Sequence, residues 1–93
     1  MKNKKYKEAT FHSSLLIPWF VVDGIDDEMK RVNESLEWLE KDRKHHFFAE
    51  PDEVCHRDNI FQKMTVKAVI RQSSGKDGKS KIIGIRCSWW EDC

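Results

Sequence analysis

No apolar run in this chain is long enough to cross a bilayer. The longest, Leu15 to Val22, is eight residues interrupted by Pro18, whereas a spanning helix needs about 20. A secretory leader is not expected either, because the basic start MKNKKYKEA leads into the polar stretch Thr10 to Ser14 and not into an apolar segment ending in small residues. Net charge is nearly missing as well. The 17 Lys and Arg against 16 Asp and Glu leave +1, so no whole-molecule field drives the chain onto nucleic acid or an anionic membrane. Any charge-driven function must be local.

Cysteine is scarce and irregularly placed. Cys55, Cys87 and Cys93 are an odd number without a framework spacing, which predicts reduced thiols and a cytoplasmic protein. Close pairs of the C-x2-C or H-x3-H kind, which structural zinc sites need, are absent from the set His45, His46, Cys55, His56, Cys87 and Cys93. No metal is therefore expected, and no cofactor. The few glycines give no phosphate loop, since Gly75 and Gly78 sit in a hairpin and not between a strand and a helix. Internal repeats are lacking too.

What the chain does have is aromatic and charged residues in quantity. Four Trp, five Phe and one Tyr, with 39% hydrophobic and 35% charged residues in 93, suit one small α+β domain spanning 1–93 and argue against disorder. Residues 1–9 carry four lysines and read as a flexible, solvated basic arm. Residues 11–22 are apolar, β-branched and aromatic, and read as an extended segment broken at Pro18. Asp26 then caps a helix running to residue 46, with Met29, Val32, Leu36 and Leu39 at 3-4-3 spacing forming its core-facing stripe. Acid-before-base pairs Asp26/Lys30, Asp27/Arg31, Glu37/Lys41 and Glu40/Lys44 are expected on its solvated side. Trp38 sits well off the apolar stripe. It lies either beneath another segment, such as 11–22, or against a partner.

Beyond Pro51 the pattern turns to β structure over 53–90. Glu53 to His56 is a short strand, and residues 63–71 alternate, with Met64, Val66, Ala68 and Ile70 on one face. A hairpin loop is expected at 73–80, and the return strand puts Ile83, Ile85, Cys87 and Trp89 on the core side and Arg86, Ser88 and Trp90 on the other. The pieces Glu53-Val54, Met64-Thr65-Val66 and Cys87-Ser88-Trp89-Trp90-Glu91-Asp92 resemble small uncharacterised bacterial proteins of the YodC type, over about residues 53–92. That resemblance implies a small, strongly bent SH3-like antiparallel sheet, partly open at its edge; the residue pattern adds the long helix packed on it. It implies no catalytic residue.

Neither does the sequence suggest one. Cys55 and His56 are neighbours, but strand alternation separates their side chains, and no nucleophile elbow surrounds any thiol. Catalysis and a small-molecule substrate are not expected. The aromatic residues on polar faces remain: Trp90 shares its face with Arg86 and adjoins Lys67 across the hairpin, and Trp38 stands apart on the helix. These four residues are the candidate binding set, unless the helix and the 11–22 segment cover both sheet faces. A non-catalytic protein-interaction module, binding a protein partner or its own second copy, is the expected function. The alternative is nucleic-acid binding through the lysine arm, the Lys76/Lys79/Lys81 hairpin and Trp90. Adjacent strand positions put Trp89 and Trp90 on opposite faces. Trp89→Ala is expected to cost about 3–5 kcal/mol in a urea melt, and Trp90→Ala to leave the melt nearly unchanged.

Overall fold

The lysine-rich start of the chain is a strand. In a computed structural model, which describes residues 3–73 and 80–92, β1 spans Lys4–Phe11 and pairs antiparallel with the last strand, from Lys4 opposite Asp92 to Phe11 opposite Ile85. The expectation of a flexible arm fails here because Ala9 and Phe11 take inward positions while main-chain hydrogen bonds hold the backbone. The lysines then line an edge strand, where repeated positive charge opposes unwanted edge pairing.

After a 3-10 turn at Ser13–Leu15 come β2, Leu16–Pro18, and the one-turn helix α1, Trp19–Val22. The 11–22 segment is thus extended only in part. Pro18 closes β2 on the outer edge of the sheet, the place where a missing N–H is tolerated. Gly24 adopts φ 80°, a conformation that glycine supplies without strain, and turns the chain into α2, Glu28–Lys41. The cap is Asp27, one residue later than expected, its Oδ1 accepting the Lys30 N–H at 3.0 Å. A 3-10 turn at Arg43–His45 replaces the last helical turn expected to 46. Strands β3, Glu53–His56, β4, Asn59–Ser73, and β5, Ser80–Asp92, follow. The expected hairpin loop, with Lys76 and Lys79, falls largely outside the described residues.

The result is a mixed α+β arrangement whose antiparallel sheet has five strands in the order β1-β5-β4-β3-β2, two more than the C-terminal half alone predicts. Register shifts between Val66 and Ala68 and between Ile70 and Arg71 interrupt the simple alternation of β4. The first brings Val69 inward opposite Ile85 and leaves Ala68 opposite Arg86 on the outer face. After the second, Ile82 packs against the core and Ile83 is exposed. A Cβ at Gly84 would meet the Thr10 Cγ2 methyl at 2.7 Å, so a larger residue there obliges the Thr10 side chain to shift.

The largest departure from the sequence pattern is in α2. Met29, Val32 and Leu36, expected in the core, are exposed, with Met29 at 75% and Leu36 at 51%; only Leu39 is half-buried. Arg31 at 5%, Ser35 at 3% and Trp38 at 7% are buried instead. The helix is turned by roughly 120° from the expected orientation, at 3.6 residues per turn. Trp38 therefore faces the interior, in one cluster with Leu16, Ile17, Val22 and Phe48, and is withdrawn from the binding set.

Arg31 explains the rotation. Its Nε donates to the Ile60 carbonyl at 2.9 Å and its Nη1 to the Ile25 carbonyl at 2.8 Å. Its guanidinium lies 4.8 Å from the Trp19 ring centre and 4.3 Å from that of Phe61. A planar, weakly hydrated cation with its donors satisfied can occupy an interior position that a pattern of apolar residues assigns to solvent. Burying the Trp38 indole on the same flank gains more area than burying Met29 would. Of the four expected ion pairs along α2, Glu37–Lys41 forms, at 3.0 Å, while Asp27 is a cap and Arg31 points inward. Removing the guanidinium in Arg31→Met leaves two carbonyls without their charged donor and should cost about 3 kcal/mol or more, and Arg31→Lys should restore little of it. Urea midpoints measure both, and equal stability of wild type and Arg31→Met would refute the anchoring role.

Candidate functional site

On the outer face of the sheet, strand register brings Tyr6 directly opposite Trp90. The two rings meet edge to face, 5.0 Å apart at 61°, and the Tyr6 hydroxyl donates to Glu8 Oε1 at 3.2 Å. Trp90 remains 57% exposed. Beside the pair a shallow groove of about 320 Å³ runs over Thr65 and Ser88, with Lys63 and Lys67 on its far wall. Trp90 and Lys67 thus come together as expected. Arg86 does not join them: it lies four residues along β5, about 13 Å away at strand rise, opposite Thr10 and Ala68. Lys63 is held by Glu53 Oε2 at 3.1 Å, which lowers the free positive charge of the groove. Tyr6 escapes a reading of the sequence because it belongs to a segment that looks like a solvated arm; its strand partner supplies the missing information.

A second surface follows from the rotation of α2. Met29, Val32 and Leu36 form an outward ridge, continued by half-buried Leu39. Between this ridge and the turn joining β3 to β4 lies a slot of about 120 Å³, lined by Val32 and Leu36 on one side and Arg57 and Asp58 on the other, with Ile17 and Ile60 at its base. A further open groove at the helix start is lined by Asp27, Glu28, Met29 and Val32. Apolar side chains in 3-4-3 order with a slot beside them have the geometry that receives another helix. Periodicity alone shows that the stripe exists. It does not show which flank of the helix the protein itself uses.

Two thiols and two imidazoles, those of Cys55, Cys87, His46 and His56, are built into packing. Cys55 and Cys87 are free and fully buried, and burial pushes both thiols up to about 11, with Arg31 pulling Cys55 slightly the other way. Such thiols are poor nucleophiles at neutral pH. His46 lies between Trp38 and Phe48, with ring centres 5.5 and 4.9 Å away. His56 Nδ1 accepts the Asp58 N–H at 3.0 Å, and its ring meets Phe11 edge to face. Among the described residues no group of three or more His, Cys, Asp and Glu could hold a metal ion, and no helix there is long and apolar enough to cross a membrane. Compared with protein-family models, curated protein sequences and solved structures, the chain matches none.

Because folding keeps the Cys55 and Cys87 thiols protonated past their ordinary value of 9.0, the unfolded chain releases protons first as pH rises. Their contribution to stability is whole below pH 9 and is lost between about 9 and 11. In a Cys93→Ser background, a disulfide-exchange dye at pH 8 should label the native protein only at the rate of unfolding and both thiols at once in urea. Immediate labelling of the native protein would contradict this burial.

Proposed function

We propose that this chain is a non-catalytic protein-interaction module of the cytoplasm and that the outward ridge of α2 is its binding surface. The observation that carries the reading is the exposure of Met29, Val32 and Leu36 on the longest helix of the described residues, beside a preformed slot. Covering an apolar stripe of this kind gains about 25 cal/mol for each Å² removed from water. The buried, unreactive thiols support a non-catalytic role, and their free state suits a reducing compartment. In the same reading, the β3–β4–β5 meander with its register shifts is the bent, SH3-like sheet that the sequence resemblance implies.

A second reading is favoured by one observation, the exposed Tyr6–Trp90 pair beside Lys67 and Lys63. Stacking rings next to cations suit single-stranded nucleic acid. The local charge argues for the first reading, since Glu53, Glu8 and Asp92 share that face with the cations. A photo-crosslinking residue placed at position 36 should give a discrete protein adduct in cells, and one at Glu34, on the opposite side of α2, should give none. Equal labelling at both positions would overturn the proposal. A filter-binding titration that retains single-stranded nucleic acid, is weakened steeply by salt and is abolished by Trp90→Ala would move the function to the sheet face.

A further inference from the structure

We infer that the partner of the α2 ridge is an amphipathic helix of another protein whose apolar seam is flanked by Lys or Arg. The inference rests on the reading of the ridge as the binding surface and adds the chemistry of its occupant. Met29 and Leu36 occupy one seam position of a heptad and Val32 and Leu39 the other. The positions beside the seam are then Glu28, Ser35 and Asp42 on the inner side and Asn33 and Glu40 on the outer. Ser35 is buried, with its hydroxyl donating to the Arg31 carbonyl at 2.8 Å, so it offers a partner nothing. Glu28, Glu40 and Asp42 are exposed carboxylates, and Asp27 extends the acidic rim at the helix start. Cations also border this rim: Arg57, across the slot beside Asp58, Arg43, in the 3-10 turn beyond the helix, and Lys41, which pairs with Glu37 at 3.0 Å and also feels Glu40 and Asp42. No cation flanks the seam within α2 itself.

This charge pattern discriminates between occupants. A second copy of α2 packed antiparallel would set Glu28 against Asp42 at both ends of the contact, a like-charge pairing. Packed parallel, it would set Glu28 beside Asn33 and Ser35 beside Glu40, with no ion pair gained. A helix with basic flanks instead meets carboxylates at Glu28, Glu40 and Asp42, and its apolar knobs fall on the ridge and into the slot over Ile17 and Ile60. The acidic rim thus rejects self-pairing and acidic helices by the same charges that accept a basic one.

Two synthetic helices test this. Both carry Leu at the seam positions; one has Lys at the flanking positions and the other Glu. Titrated into the full chain at low salt by calorimetry, the Lys helix should bind and the Glu helix should bind about tenfold more weakly or worse. Added salt should narrow the gap, and Leu36→Asp, a change on an exposed position that leaves the melting temperature in place, should abolish binding. Reversing the rim in Glu28→Lys/Glu40→Lys should exchange the order of the two helices. Equal affinities, or tighter binding of the Glu helix, would overturn the basic partner while leaving the ridge as the interface. A homodimer in light scattering that Leu36→Asp dissociates would do the same and make the second copy the occupant. If neither helix binds and Leu36→Asp alters nothing, both the inference and the proposed function fall.

Discussion

The orientation of α2 depends on one side chain. Arg31 donates to the carbonyls of Ile25 and Ile60 and lies against the rings of Trp19 and Phe61, so it joins the helix to the turn before it, to α1 and to the start of β4. A charge this deeply buried is tolerable only with its donors satisfied and its faces covered. Here two carbonyl oxygens accept from Nε and Nη1, and the rings of Trp19 and Phe61 lie against the guanidinium. Once Arg31 is seated, Ser35 and Trp38 follow it inward by helical spacing, and Met29, Val32 and Leu36 must face out. The apolar ridge is the geometric counterpart of the buried arginine.

The sheet supplies the frame against which that helix is held. One face contributes Val54, Met64, Val66, Ile85 and Cys87 to the core, and on the other Ile17, Cys55 and Ser88 are buried as well while Tyr6 and Trp90 meet in the open. The edge strands differ in how they avoid pairing with another chain: β2 is short and ends in proline, and β1 is long but carries lysine at Lys4, Lys5 and Lys7. With the edges guarded in this way, the ridge of α2 is one of the apolar surfaces left open among the described residues, beside the separate exposed rings of Phe20 and Phe47.

The C-terminal strands were readable in the chain because their alternation of apolar and polar residues is strong and bounded by loop-forming residues; β3 begins and ends at the expected residues, Glu53 and His56. Trp89 half-buried and Trp90 exposed likewise follow from alternation alone. What sequence could not supply was partnership. Lys4 to Phe11 is ordered by β5, a strand some 80 residues away, and nothing local in KNKKYKEA announces that pairing. The periodicity of α2 shows a stripe but not the side it faces, since a pattern of hydrophobic residues counts arginine as polar and cannot register a guanidinium seated between two rings. Of the expected binding set, Trp90 and Lys67 converge, Arg86 stands apart on the same face and Trp38 is interior.

The central claim is that α2 is held by its Arg31–Trp38 flank with the Met29–Leu36 ridge outside. Paramagnetic relaxation by a soluble, uncharged nitroxide reads this in a single spectrum, through the methyl signals of Met29 and Leu36 and the indole signal of Trp38. Both methyl groups should broaden strongly while Trp38 stays protected. Protected methyl groups with a broadened Trp38 would place the helix in the opposite orientation and contradict it.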